Sequence, residues 1–346
     1  MKKYLLLFFV CLSVQLQAQL IGYDVAFKYA PSIKISDSIQ SFLIMNRSMN
    51  NQFRNYNALA LQDYYNRKLN IYYILLDSLV ADTIIQILGD QLYNSGRFDY
   101  VIPVERNLPR KQTYDEIAPP LNWEYVNTLC KRYNTDALIV LEKLDFMLTT
   151  KKDFKFDKEL IDTSKELIKM HHAQVKIYYK AHWRIYDPNN RQLIVDREMK
   201  IDSVFWESSN ENMWLLLYQI PAIKPAAVIT GTETALQFSE LIAPYTILTN
   251  RYIYKTLNPK INRSIKYADE GEWEKALKNW MDYSDYGSRR TKSKIMLNIS
   301  TAYEIIGERE KAIDWAKKSL ICYERERTQN YLNVLLTQNN ILYAGK

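Results

Sequence analysis

Residues 175–206 constrain the fold more than any other stretch of the sequence, because they carry the pattern of a β-hairpin. Both arms are rich in β-branched and aromatic residues, and the DPNN run at 187–190 supplies a proline and two asparagines that favour a tight turn. Apolar and polar residues alternate along the first arm, so that strand has one apolar face. Since such a face must be covered, we expect helices to pack on the hairpin.

The chain before the hairpin alternates between strand and helix patterns. Residues 39–46 are an apolar run that predicts a strand buried on both faces of a sheet. Residues 136–146 begin as an apolar run and end in alternation, which predicts a central strand, whereas the proline in residues 98–104 favours a strand at an edge or one that ends early. Helical spacing predicts a helix at 74–94, which ends in an Asn-Ser-Gly stop signal at 94–96, and a second helix at 119–133, which Asn134 would cap. The predicted fold class is α+β, with a mixed sheet of about five strands and covering helices.

Other segments predict an insertion and further helices. Residues 149–172 are highly charged and hold a helical candidate at 158–170. We interpret this segment as a solvated insertion, and the alternative is an arm that touches a partner. After the hairpin, residues 210–220 and 226–242 predict covering helices, the second with small residues that permit close packing. A further helix is expected at 244–254.

The N-terminal segment, 1–18, has the pattern of a secretory signal peptide. Two lysines precede an apolar run at 4–14, and a small residue, Ala18, precedes the expected cleavage site. The apolar run is shorter than the ~20 residues that span a bilayer, so we do not expect a retained anchor. Cys11 follows a valine rather than a small residue, which does not fit lipidation and leaves it an open question. We expect export to the periplasm or the periplasm-facing outer membrane.

The sequence contains few signs of reaction chemistry. It has only 8 glycines and no Walker, GxGxxG or GxSxG motif, which weighs against nucleotide enzymes and serine hydrolases. Cys130 and Cys322 remain after processing and predict free thiols in separate domains. His171, His172 and His182 lack the spacing of a metal site. We therefore predict no catalytic residue, no cofactor and no metal.

Two alternatives to a non-enzymatic protein stay open. Asp136, Glu142 and Asp145 surround the third predicted strand, and they would suit a hydrolase of an envelope polymer if Asp145 and a partner acid converge in a cleft. A channel-type oligomeric subunit is the other alternative. The formal charge is +7, and residues 289–294 hold several basic side chains. We predict a solvated face there rather than a nucleic-acid site, with an acidic peptide or a lipid headgroup as the competing use.

An internal repeat marks the C-terminal part of the chain. GEWEKA at 271–276 recurs as GEREKA at 307–312, an offset of 36 residues. With the preceding serines and tyrosines, the pattern resembles the tetratricopeptide repeat, although Arg309 replaces an aromatic residue and the closing prolines are missing. The resemblance implies paired helices with a glycine in the turn, a capping helix at 329–343, and a groove that binds protein segments. The residues implied for the groove lining are Lys294, Leu297, Thr301 and Glu304.

A second resemblance covers most of residues 35–255. The SGRF run at 95–98, the YNTDALIVLEKL run at 133–144 and the hairpin look like the α/β domain of the curli-secretion-channel and TolB amino-terminal type. WRIYDP at 183–188 and SELIAP at 239–244 are similar to an uncharacterised family of Gram-negative envelope proteins. The resemblance implies such a domain followed by helical repeats. Members are commonly lipoproteins, a feature from which this chain departs.

Together these patterns predict a signal peptide at 1–18, an α/β domain at 19–250 and an all-α tetratricopeptide-like module at 251–346. We expect a non-enzymatic cell-envelope protein that acts as an interaction scaffold or assembly factor through its repeats. The expected partner is an envelope protein or peptide segment, not nucleic acid. Alternatively, the repeats only support the α/β domain. Peripheral association with the outer membrane and the oligomeric state stay open.

Overall fold

The computed structural model of the protein describes residues 20–49, 73–108, 116–161, 164–221, 223–337 and 341–345. Contacts divide the chain into two units. The central unit is Ser32–Ala243, and the terminal unit joins the described residues up to Pro31 to those from Pro244 onward. The predicted signal peptide and Cys11 lie outside the described residues. The predicted boundary at residue 250 differs from this division, because residues 20–31 and 244–250 group with the C-terminal helices.

Seventeen elements occupy the described ranges. The strands are β1 (Leu20–Tyr29), β2 (Ser41–Asn46), β3 (Tyr100–Asn107), β4 (Ala137–Ile161), β5 (Ser164–Asp187), β6 (Gln192–Asn210), β7 (Tyr245–Tyr254) and β8 (Ile341–Gly345). The helices are α1 (Tyr73–Asn94), α2 (Trp123–Tyr133), α3 (Met213–Gln219), α4 (Ile223–Ile242), α5 (Arg263–Asp269), α6 (Trp273–Asp282), α7 (Arg289–Ile305), α8 (Arg309–Cys322) and α9 (Glu326–Thr337).

The central unit is built on a mixed five-stranded sheet in the order β3-β2-β4-β5-β6. β2 runs parallel to both β3 and β4, whereas β4, β5 and β6 are antiparallel. Every residue of β2 is buried, and the proline-containing β3 lies at the edge, as their sequences predict. The predicted α+β class, with covering helices and a following helical module, is confirmed.

The β5–β6 hairpin forms where the sequence predicts it. Oδ1 of Asp187 accepts hydrogen bonds from the backbone N–H groups of Asn189 and Asn190, at 3.0 and 3.2 Å. Arg191 closes the turn in the left-handed region with φ of 49°. The aspartate and the asparagines therefore set the turn through side-chain and backbone bonds.

The predicted helix at 158–170 is wrong. β4 continues to Ile161 and β5 begins at Ser164, and the two strands pair in antiparallel register from Leu138 with Tyr186 to Ile161 with Ser164. The physical reason is visible in residues 152–157, where phenylalanines alternate with charged residues in the two-residue period of a strand. Pairing with a neighbouring strand overrides the weak helical preference of the segment.

Helices cover both faces of the sheet. α1 and α4 enclose the larger core, in which the rings of Trp183 and Phe238 stack with centroids 4.2 Å apart. A Cβ added to Gly231 of α4 would lie 3.0 Å from Cβ of Thr83 on α1, so the small residue permits close helix packing as predicted. α2 covers the opposite face, and the predicted asparagine, Asn134, ends it in the left-handed region.

The terminal unit combines a three-stranded antiparallel sheet with five helices. The strand order is β7-β1-β8. The predicted helix at 244–254 is therefore wrong, because its β-branched and aromatic residues form β7, which pairs with β1 along its length. The predicted capping helix at 329–343 is also only partly right, since α9 ends at Thr337 and residues 341–345 form β8.

The helix pairs of the repeat form as the sequence predicts. Gly271 between α5 and α6 has φ of 70°, and Gly307 between α7 and α8 has φ of 90°, so both turns use the left-handed region. Trp273 and Trp280 of α6 pack with α7 and the strand β1 in one core. None of the helices in the described ranges combines the length and apolar character needed to cross a membrane.

Candidate functional site

The four residues predicted to line a groove all lie on α7, but three of them face inward. Leu297, Thr301 and Glu304 recur at helical spacing and are only 3, 2 and 4% exposed. Lys294 lies on the same face nearer the start of the helix and is half-buried. The repeat pattern therefore located one face of the helix correctly, but not what that face contacts.

The inward part of this face is covered by β7 and α9. Both carboxylate oxygens of Glu304 accept hydrogen bonds of 2.7 Å from the guanidinium of Arg251, and Oε2 accepts a third from the hydroxyl of Tyr331. The amide of Asn298 bonds both the backbone N–H and the backbone carbonyl of Tyr254, at 2.7 and 2.8 Å. The prediction of an open groove is thus wrong at Leu297, Thr301 and Glu304, because the unit's own strand and helix fill it.

Lys294 belongs instead to a chain of alternating cations and aromatic rings, which we call the ladder. The Nζ atom of Lys294 lies 5.4 Å from the ring centroid of Tyr254, and the guanidinium of Arg325 lies 5.6 Å from the same centroid. Arg325 also lies 4.8 Å from the ring centroid of Tyr323, with the guanidinium of Arg290 at 5.1 Å. Three cations thus share two rings.

Three separate segments position the ladder. Arg290 and Lys294 are one turn apart on α7, and Tyr254 is the last residue of β7, where Asn298 holds its backbone. Tyr323 and Arg325 lie between α8 and α9. Arg325 is fixed by donating to the hydroxyl of Ser293 at 2.5 Å and to the carbonyl oxygen of Arg290 at 2.8 Å. Hydrogen bonds therefore hold Arg325 and Tyr254 in place, whereas Arg290 is an exposed side chain.

Within the described residues, the positive charge of the ladder has no carboxylate close enough to balance it. Among the described residues, none of its three cations has a carboxylate within ion-pair distance, although Glu324 and Glu326 flank Arg325 in the sequence. Burial lowers the pKa of Lys294, and the charges of Arg325 and Arg290 lower it further. Burial is also the main cause of the lowered pKa of Arg325. A bound anion would offset both the free-energy cost of burying these cations and their mutual repulsion.

The central unit holds a polar cluster of the opposite kind. Glu142, which is 0% exposed, sits at an irregularity in the β4–β5 pairing and accepts from Arg47 at 3.2 Å and from the hydroxyl of Tyr186 at 2.7 Å. Arg184 lies 3.4 Å from Glu142 and donates to Asp196 at 2.9 Å. Burial and the charge of Glu142 raise the pKa of the Tyr186 hydroxyl. Each charge here has an opposite partner.

This cluster holds a neighbouring segment of the chain. Arg184 donates to the carbonyl oxygen of Ala118 at 2.6 Å, and Arg47 donates to that of Pro119 at 2.9 Å. The backbone N–H of Leu121 donates to the hydroxyl of Tyr186 at 3.1 Å. The cluster therefore holds the segment that precedes α2, residues 118–121, against the sheet.

The carboxylates considered for a hydrolase do not form one site. Asp136 accepts from the backbone N–H of Gln40 and from the hydroxyl of Ser41, at 2.9 and 2.7 Å. Asp145 pairs with Lys143 at 3.0 Å, and Glu142 belongs to the buried cluster above. The described contacts give each of the three its own partners, so they supply no acid and base pair facing a shared cleft.

The histidines and cysteines take separate structural positions. His182 Nε2 lies 2.7 Å from Asp196, while Nδ1 of His182 and Nε2 of His172 are buried without a hydrogen-bond partner in the described structure. The described residues as a whole contain no group of three or more His, Cys, Asp or Glu side chains placed to hold a metal ion. Burial raises the pKa of the Cys130 thiol to about 11, which disfavours the nucleophilic thiolate.

Sequence reasoning found Lys294 and Arg290 but missed the other ladder residues. Tyr252 and Tyr254 alternate along β7, and Tyr323, Arg325 and Arg327 alternate in the same two-residue period. Arg327 lies 5.0 Å from the ring centroid of Tyr252, so the same pairing extends one step beyond the ladder. Alternating tyrosine and arginine was the signal available, but no local pattern joins segments that lie so far apart in the sequence.

Comparisons with known proteins give two family matches. Residues 262–337, which include α5 to α9, match a domain of unknown function, DUF6340. Residues 39–254 match a second domain of unknown function, DUF8603, over more than half of the chain and up to the last residue of β7. No curated protein matches the chain. The protein is therefore a member of the family defined by the domain of unknown function DUF8603.

Proposed function

We propose that this protein is a non-enzymatic interaction scaffold or assembly factor of the cell envelope, and that its helical repeats bind another envelope protein or a peptide segment. The observation that carries the proposal is the ladder, in which three cations surround two tyrosines without a carboxylate among the described contacts. Arginine and tyrosine are enriched among the residues that dominate binding energy at protein interfaces.

The unbalanced charge favours a ladder that binds a partner over one that only stabilises the fold. Charges that only stabilise a fold are usually paired, because burying a cation without an anion costs free energy. Lys294 and Arg325 are half-buried, and the pKa of each is lowered, first by burial. A partner that supplies carboxylates would offset that cost on binding.

The ladder suits nucleic acid poorly. Single-stranded nucleic acid binds through aromatic rings that offer a free face to the bases. The rings of Tyr254 and Tyr323 each have two cations close to their centroids, and Tyr254 is 8% exposed. Export directed by the N-terminal segment would also separate the mature protein from most nucleic acid.

Capture from intact cells tests the proposal. We define the ladder variant as Arg290→Glu with Lys294→Glu, because neither side chain donates a hydrogen bond to the described part of the protein. We define the control variant as Lys278→Glu with Lys317→Glu, two exposed lysines of α6 and α8, which changes the net charge equally. A truncation after Tyr254 would remove the helices that pack on β7, so point variants are the sharper choice.

Crosslinking followed by affinity purification should recover the same envelope protein with the wild type and the control variant. The ladder variant should recover much less of it, because its two glutamates repel the carboxylates of the partner. Equal recovery by all three proteins, or no envelope protein at all, would contradict a scaffold acting through this surface. Fractionation of the same cells tests export, and recovery in the cytoplasm would contradict the envelope location.

A further inference from the structure

We infer that the ladder binds an extended acidic peptide segment whose carboxylates project on one side at every second residue. The inference rests on the proposed function and adds to it the chemistry of the partner. The ladder presents two guanidinium groups and one ammonium group, and each is a donor suited to carboxylate oxygens.

The spacing of the cations is compatible with an extended chain. Arg290 and Arg325 lie 5.1 and 4.8 Å from the centroid of the ring they share, so roughly 10 Å is the largest separation of these two groups. Side chains on one face of an extended peptide recur every ~7 Å, since each residue advances the chain by ~3.4 Å. Carboxylates at alternate residues can therefore reach successive cations, with the flexible acidic side chains spanning the remaining difference.

The depth of the cations favours a peptide over a lipid surface. Arg290 is exposed, but Lys294 and Arg325 are half-buried beside aromatic rings. Single side chains of a peptide can reach half-buried cations individually, whereas the headgroups of a flat bilayer meet exposed cations first and need them at the surface. Arg325 also loses less side-chain entropy on binding, because it is already fixed by Ser293 and by the carbonyl oxygen of Arg290.

The ladder consists of two arginines and a lysine, side-chain types that ordinarily carry a positive charge at pH 7. Binding should therefore depend on salt concentration and on the charge of the peptide rather than on small changes of pH.

Fluorescence anisotropy with labelled peptides tests the inference on the full mature chain. The probes are a peptide with glutamate at alternate positions in a serine background, the same peptide with glutamine, and a peptide of equal charge with its glutamates in one block. We expect the alternating glutamate peptide to bind tightest, the blocked peptide more weakly and the glutamine peptide not measurably. Raising the salt concentration should weaken binding.

The variants defined above give the matched comparison. The ladder variant should lose at least about tenfold in affinity for the alternating peptide, whereas the control variant should keep the affinity of the wild type. The ladder variant should unfold at a temperature no lower than the wild type, because it removes repulsion between cations. A loss of affinity with a folded variant then reports binding rather than unfolding.

Several outcomes would overturn the inference. Equal binding of the glutamine peptide, equal binding by the ladder variant, or binding only to vesicles of phosphatidylglycerol and phosphatidylcholine would each do so. Competition by inorganic phosphate as effective as the peptide would also do so, because it would show a simple anion site. If cells yield a partner that is captured independently of the ladder and the peptides fail, the scaffold stands and the inference falls. Peptide binding without any captured envelope protein would instead support the inference and contradict the scaffold.

Discussion

Two groups of positive charge lie along the same helix of the terminal unit and have opposite surroundings. Near the end of α7, Arg251 is matched by both oxygens of Glu304, and Tyr331 completes the contact. Nearer the start of the helix, Lys294 has tyrosine and arginine beside it but no carboxylate in the described structure. The first group is built to fix β7 and α9 to the helix. The second group differs, because no described carboxylate pairs with its charge.

The central unit contains a second paired cluster that contrasts with the ladder. Its buried Glu142 lies against two arginines, and one of these also bonds Asp196. The charges of this cluster thus have opposite partners, as a structural network requires. In both units, the buried charges that stabilise the fold are therefore paired with opposite charges. The ladder departs from that rule among the described residues, and this departure is our reason for proposing that it binds a partner.

Replacing Glu304 by glutamine should give the largest loss of stability. Arg251 is 6% exposed and would keep its charge without a carboxylate, so we expect the free energy of unfolding to fall by roughly 3–5 kcal/mol. Urea unfolding followed by circular dichroism measures the effect. Glu310→Gln, at a carboxylate whose side chain is 85% exposed on α8, is the control and should change the stability by less than about 0.5 kcal/mol.

A double replacement sharpens this result. Arg251→Met with Glu304→Leu removes both charges and should recover most of the loss, because apolar residues can replace a buried ion pair. If Glu304→Gln costs no more than the exposed control, the buried cluster does not serve the fold and its contrast with the ladder disappears.

Glu142→Gln should destabilise the protein by a smaller amount, about 2 kcal/mol. The charge of one buried carboxylate is lost, but Arg184 keeps Asp196 and Arg47 keeps the carbonyl oxygen of Pro119. The same urea experiment measures it, and Glu124→Gln at an exposed position of α2 is the matched control. A loss larger than that of Glu304→Gln would reverse the expected order of the two clusters.

Much of the central unit could be predicted because its signals are local. Apolar runs fixed β2 and β4, the DPNN turn fixed the hairpin, and Asn134 ended α2 as expected. The terminal unit could not be predicted in the same way, because β1 and β7 pair although more than 200 residues separate them in the sequence, and no local pattern indicates such a partner. Residues 244–254 therefore looked helical when only their neighbours in sequence were considered.

The candidate site divides in the same way. The repeat pattern placed Lys294, Leu297, Thr301 and Glu304 on one face of α7, since helical periodicity is a local property. It could not show that the unit's own strand and helix cover three of them, nor that Tyr254, Tyr323 and Arg325 gather around the fourth. Sequence patterns identify faces, whereas a site depends on which faces meet.

Stability at acid pH tests the paired cluster of the central unit with a smaller effect. Burial alone would raise the pKa of Asp196, but hydrogen bonds from His182 and Arg184 and the charge of Arg184 outweigh it, so the pKa lies below its usual 3.8. With the folded pKa depressed, the unfolded state binds more protons. The contribution is therefore fully present above pH 3.8 and is lost as pH falls through the folded value.

Asp196→Asn should remove this part of the acid sensitivity. It should also lower the stability at pH 7 by less than about 1 kcal/mol, because the carboxylate is partly exposed and solvent screens its charge. Urea unfolding between pH 7 and pH 3 measures both effects, with Asp90→Asn on α1 as an exposed control. An acid profile of the Asp196 variant that superimposes on the wild type would show that the carboxylate does not contribute.

The ladder should respond in the opposite direction and with a similarly small effect. Lys294→Met keeps the apolar part of the side chain and removes one of three mutually repelling cations, so we expect a gain in stability of up to about 1 kcal/mol at pH 7. The lowered pKa fixes the sign with pH. The free-energy cost of the charged Lys294 is fully present below its folded pKa and is relieved as pH rises towards the unfolded pKa of 10.5. The advantage of the variant should therefore vanish at that pH.

Urea unfolding at pH 7 and above pH 10 measures this gain, with the exposed Lys317→Met as the control. A stabilised Lys294 variant that also binds the alternating acidic peptide more weakly would show that the protein maintains the ladder for a partner at the expense of its own stability. A destabilised variant would instead place the ladder among the contacts that hold the fold together, because its cations would then contribute to packing more than they repel one another.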